Sequence, residues 1–193
     1  MTDAVILVGG RGKRLGKLTL NTPKPLIKIN NKRFLDILLK KILILKIKKI
    51  YLLCSYKKEQ FFKRYHLKKI NNCKIVCIDE GRQKDTGGAL YKIKNKIKSN
   101  FFLYNGDTYL DLNANRLFKF NKNNSLGTMA ITKNINYKKN KKLNNIKIDK
   151  LGFVYYSKSR THFMNAGVYF FKKKFLNLIK NKKESLENDI LPK

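Results

Sequence analysis

A glycine-rich segment near the start of the chain carries three basic side chains. It reads Gly9-Gly10-Arg11-Gly12-Lys13-Arg14-Leu15. Glycine lets backbone N–H groups approach a phosphate closely, and the basic side chains add positive charge. The segment differs from a Walker A loop at Arg14, and from a dinucleotide fingerprint at Leu15. It predicts a phosphate-binding loop, with a basic surface turn as the alternative.

A second basic group lies in a stiff segment, Thr22-Pro23-Lys24-Pro25-Leu26. Two prolines fix two φ angles, so Lys24 is held in a defined direction at a lower entropic cost than a lysine in a flexible loop. This favours a charge directed at a phosphate. A surface turn in a lysine-rich chain is the alternative.

Acidic residues are few, and Asp107 follows Asn105-Gly106 at the end of an apolar run. A carboxylate there suits one or two ligand positions on Mg²⁺, with nucleotide phosphates and water supplying the others. The alternative is an aspartate that caps a helix or a turn. Asp111, four residues further on, is a weaker candidate.

A third loop is predicted around Glu80 and Thr86-Gly87-Gly88-Ala89, where backbone groups could bind a base or a ribose. A plain strand-to-helix turn would also explain Gly87 and Gly88. No nucleophile with a neighbouring base is visible, and His66 and His162 lie far apart, outside any metal-ligand spacing.

The first half of the chain must position these loops with alternating strands and helices. The predicted strands are Ala4 to Val8, Lys49 to Cys54, Cys73 to Ile78 and Phe101 to Tyr104. The predicted helices are Phe34 to Lys46, Lys57 to Leu67, and Thr86 to Ile97 with Thr86 as its cap. Crossovers of this length predict an α/β fold with a doubly wound, mostly parallel sheet flanked by helices. Ligands bind at the carboxyl ends of such strands, where the glycine-rich loop and Asn105-Gly106-Asp107 should meet.

The second half is less regular. It predicts strands at Gly127 to Thr132, Gly152 to Tyr156 and Gly167 to Phe171. Helical segments are predicted at Asn113 to Asn121, Lys174 to Ile179 and Ser185 to Leu191, and an exposed loop at Asn134 to Asn145.

The composition is strongly basic. The chain has 193 residues, 45 Lys plus Arg, 12 Asp plus Glu and a formal net charge of +33. The hydrophobic content of 42% nevertheless predicts a folded domain. Abundant Lys, Asn and Ile indicate coding sequence rich in A and T, so most lysines are expected on solvated faces. They are spread along the chain, which argues against a nucleic-acid-binding module.

The expectations about a membrane partner and the cellular compartment depend on sequence features that are not seen. No apolar stretch approaches the ~18–20 residues of a membrane span, so no membrane partner is expected. The chain lacks a secretory leader, and Cys54, Cys73 and Cys77 lie in or beside apolar runs, which predicts core thiols and a cytoplasmic location.

The sequence resembles the sugar-phosphate nucleotidyltransferases, or NDP-sugar pyrophosphorylases, because several of its motifs occur in the order found in that family. The matching motifs are the glycine-rich segment, Thr22-Pro23-Lys24-Pro25-Leu26, Thr86-Gly87-Gly88-Ala89, Asn105-Gly106-Asp107, Asn165-Ala166-Gly167-Val168-Tyr169 and Ser185-Leu186-Glu187. Phe34-Leu35-Asp36, Ser55-Tyr56-Lys57 and Asp189-Ile190-Leu191-Pro192 are most similar to the compact branch that includes heptose-1-phosphate guanylyltransferases.

The resemblance implies a Rossmann-like nucleotidyltransferase fold and a reaction. A nucleotidyl group passes from an NTP, GTP favoured, to a heptose or mannose type of sugar 1-phosphate, which gives NDP-sugar and pyrophosphate. The implied catalytic residues are Arg14, Lys24 and Asp107, with Asp107 also holding Mg²⁺. The implied nucleotide-binding residues are Gly9, Gly10, Gly12, Lys13, Glu80, Thr86, Gly87 and Gly88. The sugar phosphate would meet Asn105, Lys158, Asn165, Gly167 and Glu187.

Two departures from the family pattern qualify this expectation. Ser157 stands where the family has the glutamate of a Glu-Lys pair that ends at Lys158. Residues 1–193 are expected to form one nucleotidyltransferase domain that is short of the family's C-terminal Asp-x-Gly segment, whose aspartate is the second metal ligand. A catalytically impaired nucleotide-binding or regulatory homologue is therefore the alternative function.

Overall fold

Strands and helices alternate along the chain in the computed structural model, which describes residues 2–81, 85–121, 124–133, 146–157 and 161–192. The strands are β1 (Thr2–Leu7), β2 (Lys28–Ile29), β3 (Lys32–Arg33), β4 (Ile47–Cys54), β5 (Lys69–Ile70), β6 (Cys73–Asp79), β7 (Phe101–Asn105), β8 (Gly127–Lys133), β9 (Ile146–Ile148), β10 (Val154–Tyr156) and β11 (Phe163–Phe171). The α-helices are α1 (Phe34–Leu43), α2 (Lys58–Tyr65), α3 (Asp85–Leu90) and α4 (Asn115–Lys119). Shorter 3-10 segments span Lys13–Thr19, Lys24–Leu26, Tyr91–Ile93 and Lys173–Leu178, and a π-helical turn spans Leu186–Ile190.

The described strands, apart from the β2–β3 hairpin, form one mixed sheet in the order β10-β9-β11-β7-β1-β4-β6-β5, with β8 also on β11. Its centre, β6-β4-β1-β7, is parallel throughout. The outer strands β5, β8, β9, β10 and β11 pair antiparallel. The predicted α/β sheet is confirmed in this parallel centre, and the second half of the chain adds the antiparallel part.

Both faces of the parallel centre are buried, as the continuous apolar runs predict. On β1, Ala4 and Ile6 belong to one core cluster and Val5 to the other, because successive side chains point to opposite faces. Helices α1 and α2 cover the first face, while α3, the segment Lys173–Leu178 and the turn Leu186–Ile190 cover the second. The chain therefore winds over both sides of the sheet.

The predicted helix from Thr86 to Ile97 is shorter than expected, and its predicted cap is wrong. Helix α3 begins at Asp85, so Thr86 lies inside it, and the 3-10 segment Tyr91–Ile93 follows Leu90 directly. The Thr86 hydroxyl instead accepts a hydrogen bond from the N–H of Leu186, at 2.8 Å. A contact with a segment 100 residues away thus replaces the local cap.

Other boundaries differ by smaller amounts. Helix α1 ends at Leu43 rather than Lys46, and the predicted helix after Lys174 is a 3-10 segment. Strand β11 begins at Phe163, four residues before the predicted start at Gly167. The short strands β2, β3, β5 and β9 were not predicted. The predicted loop Asn134 to Asn145 lies outside the described residues.

The three cysteines are buried and unpaired, as predicted. A hydrogen bond with Cys77 and burial together raise the pKa of the Cys54 thiol far above its ordinary value. In the described ranges, none of the helices has the length and apolar character needed to cross a membrane.

Gly106 closes the contact between the ends of β1 and β7, which pair in parallel with Leu7 opposite Asn105. Its N–H donates to the carbonyl of Leu7 at 2.9 Å. A Cβ at this position would lie 2.5 Å from that carbonyl oxygen. Only glycine fits here without moving the backbone of β1.

We therefore expect Gly106→Ala to lower the free energy of unfolding by about 1–3 kcal/mol, because the new methyl group meets backbone rather than a flexible side chain. Urea unfolding measures this change. Gly10→Ala is the matched control, since nothing lies within 4 Å of a Cβ there. Equal stability of the two variants would contradict the close approach.

Candidate functional site

A cleft of about 760 Å³ opens at the carboxyl ends of β1, β6 and β7, where the sequence predicted a binding crevice. Residues from several distant segments line it. The predicted site residues among them are Gly9, Gly10, Gly12, Lys13, Arg14, Lys24, Glu80, Thr86, Asn105, Asp107 and Glu187. The fold thus brings most of the predicted residues to one place.

The glycine-rich loop, defined from here on as Gly9 to Leu20, follows β1 and forms the basic side of the cleft. Gly12 has φ +65°, a left-handed conformation that favours glycine. The buried Thr19 closes the loop from within, since its hydroxyl lies 3.1 Å from the Gly12 carbonyl and 3.2 Å from that of Gly16. Lys13 and Arg14 remain exposed at the cleft. The loop thus presents two exposed cations at the cleft.

Lys24 meets Asp107 across the cleft, with 2.7 Å between Nζ and Oδ2. The two residues are 83 positions apart in the sequence. Pro25 and Leu26 beside the lysine are buried, which anchors the short 3-10 segment that presents it. The two side chains are 35% and 43% exposed, so both can still reach a ligand. The sequence predicted each residue but not this pairing.

A magnesium ion fits the donor set only together with a substrate. Asp107 supplies one carboxylate at the cleft, and the described residues contain no group of three or more His, Cys, Asp or Glu that could hold a metal. Mg²⁺ in nucleotide-binding enzymes is usually held by one or two carboxylates and by substrate phosphates. Asp107 therefore suits an ion that is held jointly with the phosphates of a nucleotide.

Glu80 is a buried carboxyl group at the end of β6, and it is only 5% exposed. Its side chain packs against Gly9, where a Cβ would lie 2.6 Å from Oε1. Burial, helped by the neighbouring Asp79 carboxylate, raises the pKa of Glu80 to about 7. Within the described ranges, none of the ion pairs of this highly basic protein involves Glu80. The carboxyl group lines the cleft, where a bound ligand would meet it.

Thr86 and Glu187 join the third loop to the C-terminal turn. The Thr86 hydroxyl donates to Oε2 of Glu187 at 2.7 Å. Gly87 and Gly88 do not line the cleft, and their N–H groups donate to the carbonyl of Glu184, at 2.9 and 3.1 Å. A Cβ on Gly87 would lie 2.4 Å from Cδ1 of Ile190. The two hydrogen bonds hold α3 against the C-terminal segment, and Gly87 also packs closely against Ile190.

Asn165 and Gly167 lie on β11 beside the cleft rather than in its lining. The register with β8 shifts between Asn165 and Tyr169, and Gly167 there has φ +66°. The Gly167 N–H donates to Oδ1 of Asn165 at 2.8 Å. This irregular stretch approaches Asn105, whose Oδ1 is buried without a hydrogen-bond partner in the described part of the chain. Asn105 thus connects β11 to the cleft.

Some lining residues were not predicted, and one predicted residue cannot be placed. Asp85, Ser185 and Asn188 also line the cleft. Ser185 belongs to a motif named above, but nothing in the local pattern of Asp85 or Asn188 indicates a site. Lys158 lies outside the described residues.

This geometry agrees with what comparison with known proteins finds. The family model described as "Nucleotidyl transferase" matches residues 3–192. The chain belongs to this family. The predicted resemblance is therefore confirmed over nearly the whole sequence.

Two relatives of this chain are named as guanylyltransferases. The chain is 30% identical over 201 residues to the mannose-1-phosphate guanylyltransferase catalytic subunit beta of Drosophila pseudoobscura pseudoobscura, covering 99% of this chain and 53% of the relative. It is 34% identical over 115 residues to the D-glycero-alpha-D-manno-heptose 1-phosphate guanylyltransferase of Campylobacter jejuni subsp. jejuni serotype O:2, covering 60% and 52%. The chain spans about half the length of these curated relatives.

Solved structures agree in fold. HddC from Yersinia pseudotuberculosis complexed with GMP-PN has a TM-score of 0.79 and 28% identity, and the match covers 100% of this chain and 86% of that one. A UDP-glucose pyrophosphorylase complexed with UDP-glucose has a TM-score of 0.77 at 13% identity, with 98% and 83% covered, and shows the fold alone.

The raised pKa of Glu80 predicts a pH-dependent stability. Between about pH 4.5 and about pH 7 the unfolded chain ionises this carboxyl while the folded protein keeps it protonated, so wild-type stability falls relative to Glu80→Gln as pH rises. We expect a relative loss of about 2–4 kcal/mol across this window and none below it. Urea unfolding at a series of pH values measures the difference between the two proteins.

Glu59→Gln is the control for this measurement, because Glu59 is an exposed residue of α2. Its difference from wild type should stay nearly constant over the same window. A flat profile for Glu80→Gln as well would contradict a protonated, buried carboxyl group.

Proposed function

We propose that this chain transfers a nucleotidyl group from a nucleoside triphosphate, with GTP favoured, to a heptose or mannose type of sugar 1-phosphate. The products are an NDP-sugar and pyrophosphate. The observation that carries the proposal is the convergence of Lys13, Arg14, Lys24 and Asp107 on one cleft at the carboxyl ends of β1 and β7. The guanylyltransferase names of the two relatives support the choice of substrates.

The site needs no general base for this reaction, because the attacking group is a phosphate oxygen that is already anionic. This oxygen forms a bond to the α-phosphorus of the triphosphate while the bond to the leaving pyrophosphate breaks. Catalysis then consists of holding the two phosphates in line and balancing their negative charge. A cleft lined by several cations suits that task.

Each basic residue is proposed to contact a different part of the phosphates, according to its position in the cleft. Arg14 on the glycine-rich loop is proposed to stabilise the leaving pyrophosphate, with Lys13 and the amides of Gly9, Gly10 and Gly12 along the phosphates. Lys24, held by its two prolines, is proposed to contact the reacting phosphates.

Asp107 is proposed to hold Mg²⁺ together with the nucleotide. The ion would supply further charge neutralisation when bound. Since Lys24 and Asp107 pair across the cleft, binding of metal and phosphate would exchange this ion pair for contacts with the substrate.

Glu80 supports the preference for GTP. Above its pKa of about 7, the ionised Glu80 carboxylate only accepts hydrogen bonds, and guanine offers two adjacent donors, N1–H and the N2 amino group, on one edge. Adenine, cytosine and uracil each present at least one acceptor at the corresponding edge. Thr86 would contact the same nucleotide, and Gly87 and Gly88 would act with it by fixing the position of α3.

The sugar phosphate is proposed to lie on the β11 side of the cleft. Asn105, Asn165 and Glu187 carry polar groups suited to sugar hydroxyls, and Gly167 leaves room for Asn105. Lys158 remains a predicted ligand of the sugar phosphate. The three unpaired cysteines favour a reducing compartment such as the cytoplasm for the reaction.

The proposal is tested by pyrophosphate release with Mg²⁺ over four nucleotides and several sugar 1-phosphates. We expect the highest kcat/KM with GTP and a heptose or mannose 1-phosphate. Absence of turnover with every pair, in protein shown to be folded by circular dichroism, would exclude the enzyme. Calorimetric nucleotide binding without turnover would then favour the nucleotide-binding homologue.

Lys24→Ala should lower kcat on the order of 10²–10³-fold, because it removes a positioned charge at the reacting phosphates. The fold should persist, since the lysine is partly exposed and its pairing is at the surface of the cleft. Pyrophosphate release and circular dichroism check both points. Lys28→Ala, an exposed lysine of β2, is the matched control, and a near-normal rate for Lys24→Ala would remove Lys24 from the mechanism.

A further inference from the structure

The turn after β4 lies directly beside the glycine-rich loop, because β4 pairs with β1 in the sheet. It contains Ser55-Tyr56-Lys57, a motif to which the proposed function gives no role. Tyr56 is half-buried, and it does not line the cleft. Its hydrogen bonds nevertheless go to the loop that does.

Tyr56 binds both ends of this loop. Its N–H donates to the carbonyl of Gly9 at 3.3 Å. Its hydroxyl lies within donating distance of two carbonyls at the other end, 2.9 Å from that of Thr19 and 2.7 Å from that of Leu20. One residue therefore binds the loop at both ends, through its backbone at Gly9 and through its side chain at Thr19 and Leu20.

Two further contacts, one from α2 and one from the loop itself, strengthen this attachment. Nε2 of Gln60, the third residue of α2, donates to the carbonyl of Asn21 at 2.8 Å. The guanidinium of Arg11 lies 5.5 Å from the centroid of the Tyr56 ring, within the range of a cation–π contact. Arg11, unlike Lys13 and Arg14, is not among the residues that line the cleft.

The loop has little else to hold it. Leu15, Leu18 and Leu20 are 38%, 66% and 58% exposed, so its apolar side chains bury little surface. The buried Thr19 is the exception, and Thr19 is the residue whose carbonyl Tyr56 holds. Segments with few buried contacts open easily unless hydrogen bonds anchor them.

The anchor extends to the proposed catalytic lysine. Gly12 lies against both Thr19 and Lys24, since a Cβ on Gly12 would be 3.0 Å from Cβ of Lys24 and 3.1 Å from Cγ2 of Thr19. A displacement of Thr19 would therefore change the spacing between Lys13, Arg14 and Lys24.

We propose that Tyr56 is a positioning residue for phosphate binding, whose hydroxyl anchors the Thr19–Leu20 end of the glycine-rich loop. Anchoring lowers the entropy lost when Lys13 and Arg14 close on the phosphates. The kinetic part of this inference rests on the proposed function, whereas the structural part, an anchored loop, does not.

Limited trypsin digestion of the full chain tests the structural part. The loop contains four cleavage sites, at Arg11, Lys13, Arg14 and Lys17. Tyr56→Phe removes the hydroxyl and keeps the ring, so cleavage at these sites should become faster on the order of two- to tenfold, the effect of one lost hydrogen bond. Mass spectrometry of early products identifies the cleaved bonds. Tyr91→Phe, at an exposed tyrosine of the 3-10 segment Tyr91–Ile93, should match the wild type.

Acceleration confined to the loop supports the inference. Unchanged loop cleavage in Tyr56→Phe, or equal acceleration at tryptic sites throughout the chain, would overturn it, because the first shows no anchor and the second shows general loosening. Gln60→Ala, which removes the bond to Asn21, is a second variant and should accelerate the same sites. If Tyr56→Phe does not fold, the loop cleavage of Gln60→Ala decides the question in the same way.

Steady-state kinetics test the link to phosphate binding. Tyr56→Phe should raise KM for the nucleoside triphosphate several-fold and leave KM for the sugar 1-phosphate unchanged, a division that general destabilisation would not produce. An equal rise in both constants would overturn the positioning role. If the wild type shows no turnover, the proposed function fails, and the trypsin result still decides whether Tyr56 anchors the loop.

Discussion

The parallel pairing of β1 with β7 is the constraint on which the site depends. These strands are separated by nearly a hundred residues, and their pairing places Leu7 opposite Asn105. The loops that follow them must therefore leave the sheet side by side, and Gly106 allows them to do so without a collision with the carbonyl of Leu7. The glycine-rich loop and Asp107 are far apart in the sequence, so they meet only because of this register.

The charged residues of this protein fall into two groups, those on the solvated surface and those that line the cleft. The large basic excess is mostly solvated, and it says little about function by itself. Within the cleft, in contrast, individual charges are placed by backbone constraints: Lys24 by two prolines and a buried neighbour, Asp107 by the end of β7. Glu80 is the opposite case, a carboxyl group that the fold removes from water, with no ion pair in the described part of the chain. Position, rather than net charge, gives each group its chemistry.

Much of the architecture could be predicted because its signals are local. The apolar runs of the four parallel strands and the crossover lengths between them specify a doubly wound sheet, and strand ends marked by glycine specify where its loops lie. Contacts between distant segments could not be predicted in this way. Thr86 was predicted to cap a helix, but it bonds to Leu186, and Gly87 and Gly88, predicted to bind the nucleotide, donate to the carbonyl of Glu184. In each case the group forms a hydrogen bond with a segment that is distant in the sequence, which the local pattern does not show.

The sequence by itself determined the family, the parallel centre of the sheet and the identity of most residues that line the cleft, because ordered motifs and hydrophobic periodicity are properties of neighbouring residues. Only the tertiary structure decided which of those residues meet: the pairing of Lys24 with Asp107, the burial of Glu80 against Gly9, and the attachment of the basic loop to Tyr56. These contacts join residues that are tens of positions apart. Their distances depend on strand register and on the packing of side chains between elements, which no local pattern contains.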